Sequence, residues 1–247
     1  MVNQEAFWLD GINVLHKKTN NIIEGNSMYR IIGYYICELI KIPQYLNRKG
    51  TMFSVSDCFG GTHPRLDTCF FINDYVKAEE RDEYKRIWNL NEERTEKLIT
   101  EISDLLGKNI TVDGRFSRLS DACHFYDFYF NKENCMIVSV STKDRYFEIL
   151  KDELMNNSGG SHFTVTDCED KNALLGFDIL GWDISGFHSF LCNRLQEMLP
   201  EARFNKYGLL ENTFDEVVAF SAKLQGHGEP VEWVPCRIGK VHISNVF

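Results

Sequence analysis

The sequence predicts an α+β fold, with helices packed on a mixed, mostly antiparallel sheet, in one globular domain covering residues 1–247. Three observations predict it. A short segment occurs twice, strand-like and helix-like patterns alternate along the chain, and aromatic content reaches 13%, which favours strands and large cores.

The repeated segment is Phe53-Ser54-Val55-Ser56-Asp57-Cys58, which returns as Phe163-Thr164-Val165-Thr166-Asp167-Cys168. Gly50 and Gly160 stand at the same offset before the two copies. A duplication would give two related β-α-β-β-α-α-β units, residues 1–134 and 135–247, forming one pseudo-symmetric body. The plainer explanation is coincidence, because Phe and Val alternating with Ser or Thr is ordinary strand composition. The shared Asp-Cys argues the other way.

The elements follow in order. Residues 7–14 read as a hairpin, because Asp10-Gly11 supplies the positive φ angles of a two-residue turn. Met28, Ile31, Ile32, Tyr35, Ile36, Leu39 and Ile40 recur at helical spacing, so the pattern predicts a helix over 28–42. Asn26 or Ser27 would cap it and Pro43 would end it. The repeated segment predicts a strand over 51–57, with Phe53 and Val55 on one face. A second strand follows at 68–72. Charged residues around Tyr84, Ile87 and Trp88 predict an exposed helix over 77–89, and Leu98, Ile102, Leu105 and Leu106 predict another over 92–106. Residues 125–130 and 136–140 read as paired strands.

In the second half, Tyr146, Phe147, Leu150 and Leu154 predict a helix over 143–155. Strands follow at 161–167 and 174–180. Phe187, Phe190, Leu191, Leu195 and Met198 predict a helix over 186–199. Thr213-x-x-Glu216 is a capping box opening a helix over 213–224. Residues 231–238 and 241–243 read as terminal strands.

Composition excludes some function classes. The formal net charge is −9, from 27 basic and 36 acidic residues that are interspersed. That balance opposes a nucleic-acid ligand, which needs clustered Lys and Arg. No run approaches the ~20 apolar residues of a membrane span. The first residues lack a basic stretch followed by an apolar one, so a cytoplasmic protein is expected. The eight cysteines form no close pairs, and reduced, mostly buried thiols are expected.

Nucleotide-binding glycine motifs, G-x-S-x-G, H-E-x-x-H and C-x-x-C are all absent. Two thiol–imidazole spacings remain. Cys58 and His63 bracket a glycine-containing loop, where an imidazole oriented by Asp57 or Asp67 would activate a nucleophile. His188 and Cys192 would share one face of the predicted helix, a chelating spacing that core packing explains equally well. Asp57 and Asp167 end the two repeated strands. A two-fold axis would bring them together as paired carboxylates, whereas local turn capping is the simpler role.

The segment around Asp178, Trp182, Asp183 and His188 is the densest in unusual residues. It reads as a recognition loop in which Trp182 and the flanking acids anchor a basic protein partner. The expectation is therefore a protein-binding protein without catalytic activity or cofactor. It would neutralise or regulate a basic partner, by class analogy with small acidic immunity-like proteins. The alternative is a cysteine- or metal-dependent hydrolase or transferase using Cys58 and His63, or Asp57 and Asp167.

Overall fold

The computed structural model describes residues 28–63, 92–106, 108–111, 113–130, 135–157, 168–183 and 186–243. The predicted hairpin at 7–14, the strands at 68–72 and 161–167 and the helix at 77–89 lie outside them. Eight described strands form two sheets. They are β1 (Tyr29–Glu38), β2 (Ile40–Lys41), β3 (Thr51–Met52), β4 (Thr62–His63), β5 (Cys135–Lys143), β6 (Ala173–Trp182), β7 (Phe187–Ser189) and β8 (Val234–Lys240). The main sheet runs β4-β1-β5-β8-β6-β7, and β2 pairs with β3. Every pairing among the named strands is antiparallel. The α+β class holds, with four described α-helices: α1 (Glu92–Leu105), α2 (Leu119–Tyr129), α3 (Asp144–Asn157) and α4 (Phe214–Leu224).

The two faces of the sheet carry separate cores. On one, Ile31, Tyr34 and Ile36 of β1 meet Leu98 and Ile102 of α1 and Phe125 and Tyr129 of α2. On the other, Ile32, Tyr35 and Cys37 join Val138 and Val140 of β5, Phe147 and Leu150 of α3, and Phe220 and Leu224 of α4. The register of β1 slips by one between Ile31 and Gly33, at a bulge. Wholly buried Arg115 lies across Gly33, where a Cβ would approach its Cγ to 2.6 Å, so only glycine fits there.

This double burial corrects the predicted helix over 28–42, which is strand β1. Burial on both faces turns a strand into a continuous apolar run, and the bulge shifts its alternation into near-helical spacing. Residues 125–130, read as a strand, are the last turns of α2, with Phe130 just past its end. Ala122, Phe125, Tyr126 and Tyr129 are buried at i, i+3, i+4 and i+7, the stripe of an amphipathic helix. The predicted helix over 186–199 is instead strand β7, a turn, and a 3-10 turn over Leu195–Met198. Arg194 at φ 57° breaks any helix there.

The helices over 92–106, 143–155 and 213–224 and the strands over 136–140, 174–180 and 231–238 fall near their predicted places, whereas the predicted strand over 51–57 is extended only at Thr51–Met52 before the 3-10 turn Asp57–Phe59, and residues 241–243 form no strand. α4 carries its capping box: Glu216 N–H donates to Thr213 Oγ1 at 3.3 Å, and Thr213 N–H donates to Glu216 Oε2 at 2.7 Å.

A duplication at the 110-residue offset would set residues 28–42 against the helix at 143–155, residues 77–89 against 186–199, and residues 123–130 against the strand at 231–238. Residues 28–42 hold strands β1 and β2, residues 186–199 hold no α-helix, and residues 123–129 lie in α2. The described elements give the duplication no support.

Candidate active site

The site forms where the β6–β7 hairpin meets the 3-10 turn Asp57–Phe59. Gly181 pairs with His188 and Trp182 with Phe187 across the hairpin. Asp183 opens the connection: its N–H donates to Gly186 O at 3.2 Å, and its Oδ1 accepts the Gly186 N–H at 3.3 Å. Its other carboxylate oxygen, Oδ2, meets His188 Nε2 at 2.9 Å. His188 Nδ1 lies 3.2 Å from the sulfur of Cys58, which is exposed on its turn. Cys58, His188 and Asp183 therefore stand in line as thiol, imidazole and carboxylate. Sequence adjacency gave no sign of this, since 130 residues separate the thiol from its imidazole.

A second thiol completes the cluster. Cys192 is half-buried, its N–H donates to Ser189 O at 2.9 Å, and its sulfur lies 3.0 Å from Ser56 Oγ. The donor atoms of Cys58, His188 and Cys192 all lie within 4.8 Å of one another. A Cys-His-Cys set of this kind is able to hold a thiophilic divalent cation, with Asp183 supporting the imidazole from behind.

The electrostatics separate the two thiols. A hydrogen bond from Cys192, together with His188, draws the Cys58 thiol down to about 4 against the opposing effect of burial. The hydrogen bond to Cys58 in turn lifts His188 to about 9, with Asp183 adding to the rise. The same bond to Cys58, and burial, hold the Cys192 thiol far above its ordinary value. Near neutral pH the arrangement is a Cys58 thiolate beside a His188 imidazolium, with Cys192 protonated. This is the activated form of a nucleophilic cysteine.

The structure places the sequence candidates as follows. His63 lies on β4 opposite Ile36, and the imidazole at Cys58 is that of His188. His188 and Cys192 stay together although the helix that would have joined them is absent. Asp57 belongs to the 3-10 turn, while Asp67 and Asp167 fall outside the described residues. Of the four recognition-loop residues, Trp182 is buried against Phe187 at 5.2 Å, and Asp178 is buried beneath β7. Only Asp183 and His188 reach the surface, and both belong to the triad.

Asp178 has a structural part. Ser189 Oγ and Ile179 N–H donate to its Oδ1, both at 2.8 Å, which ties β7 to β6 directly behind His188. Burial pushes its carboxyl up to about 7, against the downward pull of those two hydrogen bonds. A folded-state value above the ordinary ~3.9 means the native state holds this proton more tightly. The associated stability is complete below pH ~4 and is lost as pH rises through 7. Asp178→Asn keeps the acceptor and removes the charge. Its Tm is expected to match wild type at pH 4 and to exceed it at pH 8, where the variant gains at most about 4 kcal/mol of stability over wild type. Thermal melts at the two pH values check this, and a wild-type advantage at pH 8 would refute it.

No family model, no curated protein and no solved structure matches this chain.

Proposed function

We propose that this protein is a cysteine-dependent acyl hydrolase or acyl transferase. Cys58 is the nucleophile, His188 the general acid and base, and Asp183 the residue that positions His188. The observation that supports this reading is the contact chain itself: sulfur to Nδ1 at 3.2 Å, and Nε2 to carboxylate at 2.9 Å. Sequence separation makes the convergence informative, because no local periodicity requires a turn cysteine to meet a hairpin histidine.

The chemistry follows from those contacts. The Cys58 thiolate adds to an acyl carbonyl, and an S–C bond forms. Collapse of the adduct breaks the bond to the leaving group, which takes the proton on His188 Nδ1. The neutral imidazole then accepts a proton from water or an acceptor nucleophile as it attacks the thioester, and the Cys58 thiolate is regenerated. Asp183 holds the ring with Nδ1 aimed at the sulfur and stabilises the imidazolium. Exposure of Cys58 admits a substrate without rearrangement of the core.

p-Nitrophenyl acetate tests this. A burst of about one equivalent of nitrophenolate is expected, with an acetyl adduct mapped to Cys58. Cys58→Ala abolishes the burst, and His188→Ala slows the steady-state turnover that follows it by roughly a hundredfold at neutral pH. An adduct on another residue, or none, would overturn the assignment.

A further inference from the structure

The acyl-transfer mechanism uses one of two thiols at the site. Cys192 attacks nothing and donates no proton to substrate, yet its sulfur lies within 4.8 Å of the Cys58 sulfur. Its backbone is fixed by the bond to Ser189 and its sulfur by Ser56. Cys58 is exposed on the three-residue turn Asp57–Phe59, which is followed by Gly60 at φ 69°. The fixed thiol is therefore the inner one and the accessible thiol the outer one. This is the layout of a peroxide-reactive cysteine beside a resolving cysteine.

We infer that Cys58 and Cys192 form a reversible disulfide on exposure to a hydroperoxide, and that this bond switches off the nucleophile. The inference rests on the reading of Cys58 as a reactive thiolate at this site. In the first step the Cys58 thiolate attacks the distal oxygen of the hydroperoxide and displaces its alkoxide or hydroxide. An S–O bond forms and the O–O bond breaks, giving the sulfenic acid, while the peroxide leaves as an alcohol or water with the proton from His188. In the second step the Cys192 sulfur attacks the sulfenic sulfur. An S–S bond forms, and the hydroxyl leaves as water with the Cys192 proton. The peroxide has been reduced by two electrons and the two thiols oxidised by two. An external dithiol reverses the bond by exchange.

Closure needs the sulfurs to come from their present spacing to about 2 Å, a movement that falls on the exposed Cys58 turn. The disulfide removes the thiolate that faces His188, so acyl transfer stops. It also protects Cys58 from sulfinic and sulfonic acids, which thiols do not reverse.

The experiment treats the full-length protein with hydrogen peroxide, blocks remaining thiols with iodoacetamide and maps peptides by mass spectrometry. A Cys58–Cys192 cross-link is expected. Labelling of Cys58 should fall at least tenfold and return after dithiothreitol. Cys168, exposed near the Tyr34 hydroxyl, is the comparison site and keeps its label. In Cys192→Ser, Cys58 should be trapped by dimedone as the sulfenic acid and lose reducible recovery. A cross-link to a different cysteine, or Cys58 oxidised in wild type without a cross-link, would overturn the inference and leave the nucleophile reading intact. A Cys58 that reacts with neither peroxide nor iodoacetamide would remove both.

Discussion

Cys58 is expected to react with iodoacetamide along a pH profile that rises near pH 4 and is flat from about pH 5 to 8. An ordinary thiol rises near 8.5. Three residues set the low inflection: the hydrogen bond from Cys192 is the largest single cause, His188 acts by hydrogen bond and by charge, and Ser56 by hydrogen bond. The upper end of the plateau is set by His188, which holds its proton until about pH 9.

Each substitution therefore carries a signature. Cys192→Ala and His188→Ala each move the inflection up. Asp183→Asn moves it less, because it acts only through the imidazole. The profile is the diagnostic, whereas a rate at one pH is ambiguous. If the inflection returned from 4 to 8.5, the thiolate fraction at pH 5.5 would fall about a thousandfold, but each thiolate would become roughly a hundredfold more nucleophilic. The net loss at pH 5.5 is only about tenfold, and at pH 9 the variant reacts faster than wild type. A wild-type inflection above pH 7 would remove the ion pair and the activated nucleophile with it.

The sequence carried the residue types of this site and concealed their pairing. Cys58, His188 and Cys192 each stood out, but each was set beside a sequence neighbour, His63 for one and a shared helix face for the others. The pairing is made by the order β8-β6-β7 at the sheet edge and by the turn at Asp57, and neither leaves a local periodic signal.

Trp182 and Asp178 show the opposite failure. A tryptophan and an acid among glycines resemble a display loop. Here Gly181 lies in the ladder, Trp182 packs on Phe187, and Asp178 hydrogen-bonds Ser189 beneath the strand. Elements with one solvent face were legible: α3 and α4 kept a clean helical stripe, and the capping box located the start of α4 to the residue. β1 and the 186–199 segment were not. The apolar residues of β1 are buried on two sides, so spacing no longer reports one face, while the buried ones of 186–199 enter one core from a strand and two turns broken at Arg194, whose spacing mimics a helix.

Asp170→Ala is expected to be the most destabilising single substitution outside the apolar core, costing about 3–5 kcal/mol. The Asp170 side chain is wholly buried, and groups from across the sheet converge on it. Ser139 Oγ and Ser141 Oγ of β5 donate to its carboxylate, the latter at 2.6 Å. Asn172 donates through both its backbone N–H and its side-chain amide, and Arg237 of β8 closes an ion pair.

The backbone around it extends the sheet. Asp170 N–H donates to Tyr29 O and Ile31 N–H donates to Cys168 O, so the carboxylate fastens segment 168–170 to β1 while reaching β5 and β8. Removing it leaves the Arg237 guanidinium, only 12% exposed, without its counter-charge and two buried hydroxyls without their acceptor. At about 2–4 °C per kcal/mol for a domain of this size, Tm should fall by roughly 10 °C.

A double-mutant cycle separates the ion pair from the hydroxyl network. Arg237→Met removes the cation and keeps an apolar stem, so Asp170→Ala in that background should cost clearly less than it does alone. Equal costs in the two backgrounds would mean that Ser139, Ser141 and Asn172, and not the salt bridge, supply the stabilisation. Because the groups that bond Asp170 (Ser139, Ser141, Asn172 and Arg237) are not those that bond Cys58 (His188, Cys192 and Ser56), the pH profile of Cys58 alkylation in the folded Asp170→Ala variant should match wild type. A shifted profile would show that the network also sets the geometry of the thiol–imidazole pair.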